Sequence, residues 1–132
     1  MDSPVVLIAD DDVFMRSALD FHLTRAGFRV EHAANGAEAL LKMTTRPAVV
    51  LLDLSMPDTN GFYCLRDVRK SCPDTKVIAL TRKRNPQDAV LCRKLGAFNS
   101  LPKPLDPDDV VLTVARAVNN EPVVSADFAL SA

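Results

Sequence analysis

Carboxylates stand directly after the two most apolar stretches of this sequence. Val5 to Ala9 reads VVLIA and is followed by Asp10 to Asp12, and Val49 to Leu52 reads VVLL and is followed by Asp53. Neither stretch alternates polar with apolar residues, which is the pattern of strands buried on both faces of a parallel sheet. The sequence therefore predicts carboxylates at strand ends, where an aspartate can act as a nucleophile or bind a metal ion.

A hydroxyl and an amine follow two further predicted strands. Lys76 to Leu80 (KVIAL) is followed by Thr81, and Phe98 to Leu101 (FNSL) is followed by Pro102 and Lys103. In open parallel sheets the ligand site lies beyond the carboxyl ends of the strands. We therefore expect five polar residues to converge on one edge of the sheet, namely Asp10, Asp11, Asp53, Thr81 and Lys103.

The charge of this group indicates a metal ion. Each pair of carboxylates at ~4 Å costs on the order of 4 kcal/mol at an effective dielectric constant of about 20. Lys103 offsets one negative charge, and a divalent cation would offset the other two. Ligands made only of oxygen favour Mg²⁺ over Zn²⁺, and protein-bound Mg²⁺ commonly contacts phosphate. The predicted chemistry is attack of Asp53 on phosphorus to form an acyl phosphate, with Thr81 hydrogen-bonded to a phosphoryl oxygen.

Each residue also has a simpler structural role open to it. The aspartate triplet can cap the following helix, Asp53 can cap the end of its strand, and Lys103 taken alone is an ordinary surface lysine. A shared site is favoured because all of them fall at the ends of predicted strands.

The elements that position these residues alternate along the chain. A weaker strand is predicted over Phe28 to Ala33, and helical spacing of apolar residues predicts a helix after each of the five strands. Each predicted helix is bounded by capping residues, glycines or prolines. The limits are Asp10 to Asp12 and Gly27 for the first helix, Asn35 and Pro47 for the second, Gly61 and Pro73 for the third, Asn85 and Gly96 for the fourth, and Asp106 with Pro107 at the start of the fifth. Five strand and helix pairs predict an α/β fold with a five-stranded, doubly wound parallel sheet, (βα)5.

Composition excludes several classes of protein. The 132 residues are 48% hydrophobic, which is enough for one domain with a core, and the net charge of −1 provides no field that would attract nucleic acid or an anionic membrane. The start of the chain does not resemble a signal peptide, and no apolar run approaches the ~18 residues of a membrane span. We therefore expect a cytoplasmic protein. Its three cysteines, Cys64, Cys72 and Cys92, are expected to be reduced packing residues.

These motifs together resemble the receiver domain of two-component response regulators. The resemblance rests on the acidic cluster after strand one, Asp53 with Met56-Pro57 and Gly61, Thr81 at the end of strand four, and Lys103-Pro104. It covers Val5 to about Asn119, so residues 1–120 are expected to form the receiver domain and 121–132 a tail or the start of a linker. The resemblance also implies the flavodoxin-like strand order 2-1-3-4-5.

The resemblance assigns a role to each residue of the predicted site. Asp53 would be the phosphoacceptor, taking phosphate from a phosphohistidine of a sensor kinase or phosphotransfer protein, or from a small acyl phosphate. Asp10, Asp11 and Asp53 would bind Mg²⁺ with the backbone carbonyl of Ser55, Asp11 more directly than Asp10. Lys103 would contact the phosphoryl group, and its bond to Pro104 would be a cis peptide. Phosphorylation would then shift the protein between two surface conformations in bacterial signalling.

Two positions depart from the family pattern. The residue after Thr81 is usually small but here is Arg82, and the residue three before Lys103 is usually Tyr or Phe but here is Ser100. The usual switch from threonine to aromatic ring therefore cannot operate in the same way. We expect Arg82 to alter access to the phosphoryl group or to bind it directly, and the phosphorylated state to be read through a different surface.

Other functions remain open at this stage. A degenerate receiver that binds a partner without phosphorylation fits Arg82 and Ser100. A haloacid-dehalogenase-like phosphatase fits less well, because such enzymes place a second aspartate two residues after the nucleophile, where this chain has Ser55. A flavodoxin-like cofactor binder lacks the phosphate-binding loop and aromatic residues. No enzyme activity is expected beyond self-phosphorylation and self-dephosphorylation, and the output is an unknown partner or a further domain of a longer regulator.

Overall fold

The structure is a computed structural model that describes residues 3–57, 59–82 and 85–121. Apart from Glu121, the predicted tail over 121–132 lies outside the described residues. Within the described ranges, no helix is long and apolar enough to cross a membrane.

Strands and α-helices alternate along the chain as predicted. The strands are β1 (Val5–Ala9), β2 (Arg29–Ala33), β3 (Val49–Asp53), β4 (Lys76–Thr81) and β5 (Asn99–Pro102). The helices are α1 (Val13–Arg25), α2 (Gly36–Lys42), α3 (Gly61–Ser71), α4 (Pro86–Lys94) and α5 (Pro107–Val118), and a 3-10 turn, Met43–Thr45, follows α2. The limits of β2 and β5 differ from the predicted ones by one residue, and β3 and β4 extend by one residue to include Asp53 and Thr81.

All strand pairs are parallel, and their order is β2-β1-β3-β4-β5. This confirms both the doubly wound sheet and the strand order implied by the resemblance. β3 is central and every one of its residues is buried, which explains its unbroken apolar sequence. β1 lies beside it, with Val6 paired to Val49.

The core has one layer on each face of the sheet because successive side chains of a strand point to opposite faces. Leu7, Val50 and Leu52 face the layer beneath α2, α3 and α4, which includes Ala39, Leu65, Val68 and Cys92. Val6, Ile8 and Leu51 face the layer beneath α1 and α5, which includes Leu19, Leu23, Val110 and Val114. Each fully buried Leu, Ile or Val contributes about 1.5–3 kcal/mol. The three cysteines are buried and free, as predicted.

Each of the five α-helices begins at a side chain that accepts a hydrogen bond from the first turn. The capping residues are Asp12, Asn35, Asn60, Asn85 and Asp106. Asp12 Oδ1 accepts from the backbone N–H of Phe14 at 2.9 Å. The third aspartate of the triplet is therefore the helix cap, and Asp10 and Asp11 precede the helix at the sheet edge.

Candidate functional site

The candidate site lies at the carboxyl edge of the sheet, where β1, β3, β4 and β5 end. Backbone hydrogen bonds continue strand pairing past these ends: Lys103 N–H donates to the Thr81 carbonyl at 2.7 Å, and Leu54 N–H donates to the Leu80 carbonyl at 3.0 Å. The loops that carry the functional side chains therefore leave the sheet in fixed directions.

Three carboxylates meet at this edge beside one lysine. Oxygens of Asp10, Asp11 and Asp53 lie within 4.8 Å of one another. Lys103 Nζ donates to Asp10 Oδ2 at 3.2 Å and to Asp53 Oδ2 at 3.1 Å. Asp10 and Asp53 are buried, whereas Asp11 is exposed. The lysine therefore bridges the two inner carboxylates and offsets one of their two charges, and the outer carboxylate is open to solvent.

Ser55 orients the Asp53 carboxylate from the other side. Asp53 Oδ1 accepts hydrogen bonds from the Ser55 backbone N–H at 2.9 Å and from the Ser55 hydroxyl at 2.7 Å. The two oxygens of Asp53 are thus distinct, since Oδ1 is held by Ser55 and Oδ2 faces Lys103. The family resemblance assigned Ser55 a role only through its backbone carbonyl, so the hydroxyl contact was not predicted. The serine type two residues after Asp53 was the available signal.

Burial is the largest influence on the pKa of Asp10, Asp53 and Lys103, and it disfavours the charged form of each. For Asp10, burial together with the nearby charge of Asp53 raises the pKa. For Asp53, burial is outweighed by the hydrogen bonds from Ser55 and Lys103, so the pKa is lowered. The carboxylates likewise outweigh burial at Lys103 and raise its pKa. Asp53 is therefore the inner carboxylate that ionises more readily.

A second cation, which the sequence analysis missed, contacts the cluster from α1. Arg16 Nη1 donates a hydrogen bond to the backbone carbonyl of Asp10. Its side chain is half-buried, and among the described side chains its Nε is a buried donor without a partner. The signal was its position four residues after Asp12, since the helix that Asp12 caps returns Arg16 to the end of β1.

The remaining predicted site residues lie around this cluster. Thr81 is the last residue of β4 and is buried, and Arg82 follows it with an exposed side chain. Ser100 is half-buried in β5, where it pairs with Ala79. The Lys103–Pro104 peptide bond is cis. The structure thus brings Asp10, Asp11, Asp53 and Lys103 together and places Thr81 and Arg82 at the same edge.

The donor set fits a hard divalent cation. Three carboxylates supply only oxygen, their combined charge exceeds that of Lys103, and exposed Asp11 gives access from solvent. A haloacid-dehalogenase-like phosphatase has a carboxylic acid two residues after the nucleophile. Here that residue is Ser55, which has no carboxyl group and donates its hydroxyl to Asp53. Fold and site together define an α/β domain with an acidic cluster of oxygen ligands at the carboxyl edge of its parallel sheet.

The family follows from comparison with known proteins. The family model described as the response regulator receiver domain matches residues 6–115. The chain therefore belongs to the response regulator receiver domain family. Phosphorylation and Mg²⁺ are standard for this family, and its members act in two-component systems with kinases and output domains.

The relatives include transcription regulators. The chain is 38% identical over 109 residues to the transcriptional regulatory protein CpxR homolog of Haemophilus influenzae, covering 83% of this chain and 48% of that protein. It is 35% identical over 121 residues to the DNA-binding transcriptional regulator NtrC of Escherichia coli, covering 91% of this chain and 26% of that protein. The chain thus spans half or less of the length of these relatives.

Solved structures agree with this assignment. A CheY-like response regulator receiver domain protein from Methanospirillum hungatei has a TM-score of 0.84 and 27% identity, covering 89% of this chain and 95% of that chain. A response regulator from Burkholderia pseudomallei, solved with a phosphorylated aspartic acid and a calcium ion, has a TM-score of 0.79 and 25% identity, covering 89% and 71% of the two chains.

Proposed function

We propose that this chain is a phosphoacceptor receiver, phosphorylated on Asp53 in a reaction that depends on Mg²⁺. The observation that carries the proposal is the bridge from Lys103 Nζ to Asp10 Oδ2 and Asp53 Oδ2, at 3.2 and 3.1 Å, within a group of three carboxylates. The ammonium group of Lys103 lies between two buried carboxylates, where it would contact the negatively charged oxygens of a phosphoryl group on Asp53.

Asp10, Asp11 and Asp53, with the Ser55 carbonyl, are the residues that would bind Mg²⁺. When bound, the ion supplies neutralisation of phosphoryl oxygens and a fixed orientation for the phosphodonor. The all-oxygen donor set supports this choice of cation. The calcium ion in the Burkholderia pseudomallei regulator is a further case of a hard divalent cation in a phosphorylated relative.

The transfer itself requires little from the protein beyond position and charge. Asp53 attacks phosphorus through Oδ2, because Ser55 holds Oδ1, and a new O–P bond forms as the P–N bond of the phosphohistidine, or the P–O bond of an acyl phosphate, breaks. The donor leaves with the electron pair of the broken bond. Lys103 then lies beside the phosphoryl oxygens, and Thr81 is placed to hydrogen-bond one of them.

The proposed partners are a sensor histidine kinase or phosphotransfer protein upstream and an output protein or domain downstream. We expect the chain to act in the cytoplasm, as is typical of response regulators. Beyond self-phosphorylation from small acyl phosphates and self-dephosphorylation, we propose no enzyme activity.

The departures at Ser100 and Arg82 favour a second candidate, a binding module that works without phosphorylation. Ser100 offers no ring that could move inward beside Thr81, and exposed Arg82 follows Thr81 directly. In this alternative the receiver fold presents a constant surface. Under the first proposal, Arg82 binds the phosphoryl group directly and the response is transmitted through a different surface.

One experiment separates these functions. Wild type, Asp53→Asn and the control Asp74→Asn, which changes an exposed aspartate, are treated with acetyl phosphate and Mg²⁺ and analysed by mass spectrometry of tryptic peptides. Fluoroberyllate is then added to each variant and amide shifts are followed by NMR, because the chain has no Trp. We expect one phosphoryl group on the Asp53 peptide in wild type and Asp74→Asn only. Wild type that neither takes up phosphate nor responds to fluoroberyllate leaves the binding module as the better interpretation.

Arg82→Ala tests the phosphate contact in the same assays. If Arg82 binds the phosphoryl group, the variant should lose its phosphate at a different rate and show a smaller shift at residues near Lys103. A phosphorylated lifetime and an NMR response both equal to wild type would remove Arg82 from the site.

A further inference from the structure

Arg16 occupies a position where its own helix opposes its charge. It is the fourth residue of α1, and the first turn of α1 has no acidic residue. The aligned peptide dipoles place partial positive charge at a helix N-terminus, which disfavours a cation there. The stabilisation that keeps Arg16 at this position has to come from outside the helix.

That stabilisation comes from the end of β1. Arg16 Nη1 donates to the Asp10 carbonyl, and this carbonyl belongs to the peptide that joins Asp10 to Asp11. Among the described residues, Arg16 Nε is buried without a hydrogen-bond partner, which is a second local cost. Arg16 thus has an unfavourable position in its helix and, within the part of the chain that the structure describes, a buried donor without a partner. Its contact with the candidate site accounts for its presence better than any stabilisation of the helix does.

We propose that Arg16 is a positioning residue that fixes the peptide between Asp10 and Asp11. The Asp10 side chain is held by the Asp12 N–H at 2.9 Å and by Lys103, while its main chain is held by Arg16. Fixing this one peptide sets the direction of both neighbouring carboxylates toward Asp53. The inference rests on the proposed function, because the property that it controls is cation binding by these carboxylates.

Positioning and simple electrostatics predict opposite results for Arg16→Met. Loss of a positive charge beside three carboxylates increases their attraction for a divalent cation, so a purely electrostatic role predicts tighter Mg²⁺ binding. Loss of the support for the peptide predicts weaker binding, by roughly tenfold, as found for groups that orient metal ligands. Arg16→Lys retains the charge and one donor and should recover part of the affinity. A role in stability alone leaves the affinity of the folded protein unchanged.

The experiment is an NMR titration of the whole chain with Mg²⁺ in wild type, Arg16→Met, Arg16→Lys and the control Arg25→Met. Arg25 is exposed at the opposite end of α1, where its guanidinium stacks on Phe21 at 5.5 Å. Hydrogen exchange of the Asp12 amide is measured in the same samples without metal. We expect roughly tenfold weaker Mg²⁺ binding and faster Asp12 exchange in Arg16→Met, with Arg25→Met equal to wild type.

Unchanged or tighter Mg²⁺ binding by folded Arg16→Met overturns the positioning role while the proposed function stands. If wild type itself binds no Mg²⁺, the proposed function fails, and the Asp12 exchange rate still decides whether Arg16 fixes the peptide. If Arg16→Met does not fold, Arg16→Lys carries the test. Affinity and exchange equal to wild type in Arg16→Lys would likewise reject a role that depends on the geometry of the guanidinium.

Discussion

Replacing Lys103 with methionine removes the cation between two buried carboxylates and keeps most of the apolar stem. Lys103 Nζ lies 3.2 Å from Asp10 Oδ2 and 3.1 Å from Asp53 Oδ2, and the two carboxylates are 0% and 2% exposed. At an effective dielectric constant of about 20, each contact is worth on the order of 5 kcal/mol before desolvation. Removing one partner of a buried ion pair typically costs about 3–5 kcal/mol. Because the lysine side chain is 22% exposed, we expect the lower end, about 3 kcal/mol.

The assay is urea unfolding of metal-free protein at pH 7, followed by circular dichroism. The midpoint of Lys103→Met should fall without a change in slope, because the surface exposed on unfolding is the same. A loss of about 3 kcal/mol is a large part of the 5–15 kcal/mol that stabilises an ordinary domain. Lys94→Met, which changes an exposed lysine at the end of α4, should lie within about 0.5 kcal/mol of wild type.

A second substitution identifies the cause. In Lys103→Met, adding Asp53→Asn removes one of the two uncompensated charges and should recover most of the lost stability. Mg²⁺ should also stabilise folded Lys103→Met, by an amount set by its concentration relative to the dissociation constant. A loss below about 1 kcal/mol for Lys103→Met, or no recovery on adding Asp53→Asn, would refute the assignment of Lys103 as the neutralising group.

Three further predictions concern space and titration. In Gly61→Ala, the added Cβ would lie 2.3 Å from the Leu54 carbonyl oxygen and displace the loop after Asp53. The free energy of unfolding should therefore fall by about 2 kcal/mol or more, and phosphorylation should be slower. An unchanged melting temperature would contradict this prediction. Burial raises the pKa of Cys92 from 9.0 to about 12, so the thiol of the unfolded chain ionises first as pH rises. The free energy of unfolding should therefore fall between these two pH values, and it should fall less steeply in Cys92→Ala. Equal slopes of stability against pH in the two proteins would refute this prediction. The hydrogen bond from His32 lowers the pKa of Asp20, so its contribution should be present above pH 3.8 and lost as pH falls through the lowered value. The Asp20 and His32 side chains are 38% and 36% exposed, so the free energies of unfolding of wild type and His32→Ala, measured in urea, should differ by about 1 kcal/mol or less and converge in acid. A difference that persists in acid would contradict the sign.

The fold was largely readable from the sequence because its central strands are buried on both faces. Unbroken runs such as Val49 to Leu52 are typical of strands that helices cover on both faces of a sheet, and the caps at Asn35, Asn85 and Asp106 indicated where three of the helices begin. The strand order was not contained in these local patterns. It came from the resemblance, since periodicity within an element carries no information about which strand lies beside it.

The members of the site could be predicted individually, but their contacts could not. Asp10 and Lys103 are 93 residues apart in the chain and meet only because β1 and β5 end at the same edge. The rule that ligands bind beyond the carboxyl ends of parallel strands brought them together in principle. It gave no means to predict that one ammonium group touches both inner carboxylates. Arg16 was missed for a related reason, because its role depends on the backbone carbonyl of Asp10 rather than on any side-chain pattern.

Under the proposed function, the residues that would carry out the chemistry are separate from Ser100, the position that departs from the family's usual switch. Ser55 and Lys103 both donate hydrogen bonds to Asp53 at the strand ends, and neither of these contacts involves Ser100. Ser100 lies within β5 and pairs with Ala79, two residues before Thr81 at the end of β4. If Asp53 is phosphorylated as proposed, a response that does not use a ring at position 100 would have to start from the backbone near Lys103. There, Lys103 N–H donates a hydrogen bond to the Thr81 carbonyl, which joins the end of β4 to the residue whose side chain contacts Asp53. Because this hydrogen bond joins the two residues, we expect a displacement of Lys103 on phosphorylation to move the end of β4 as well, without an aromatic ring at position 100.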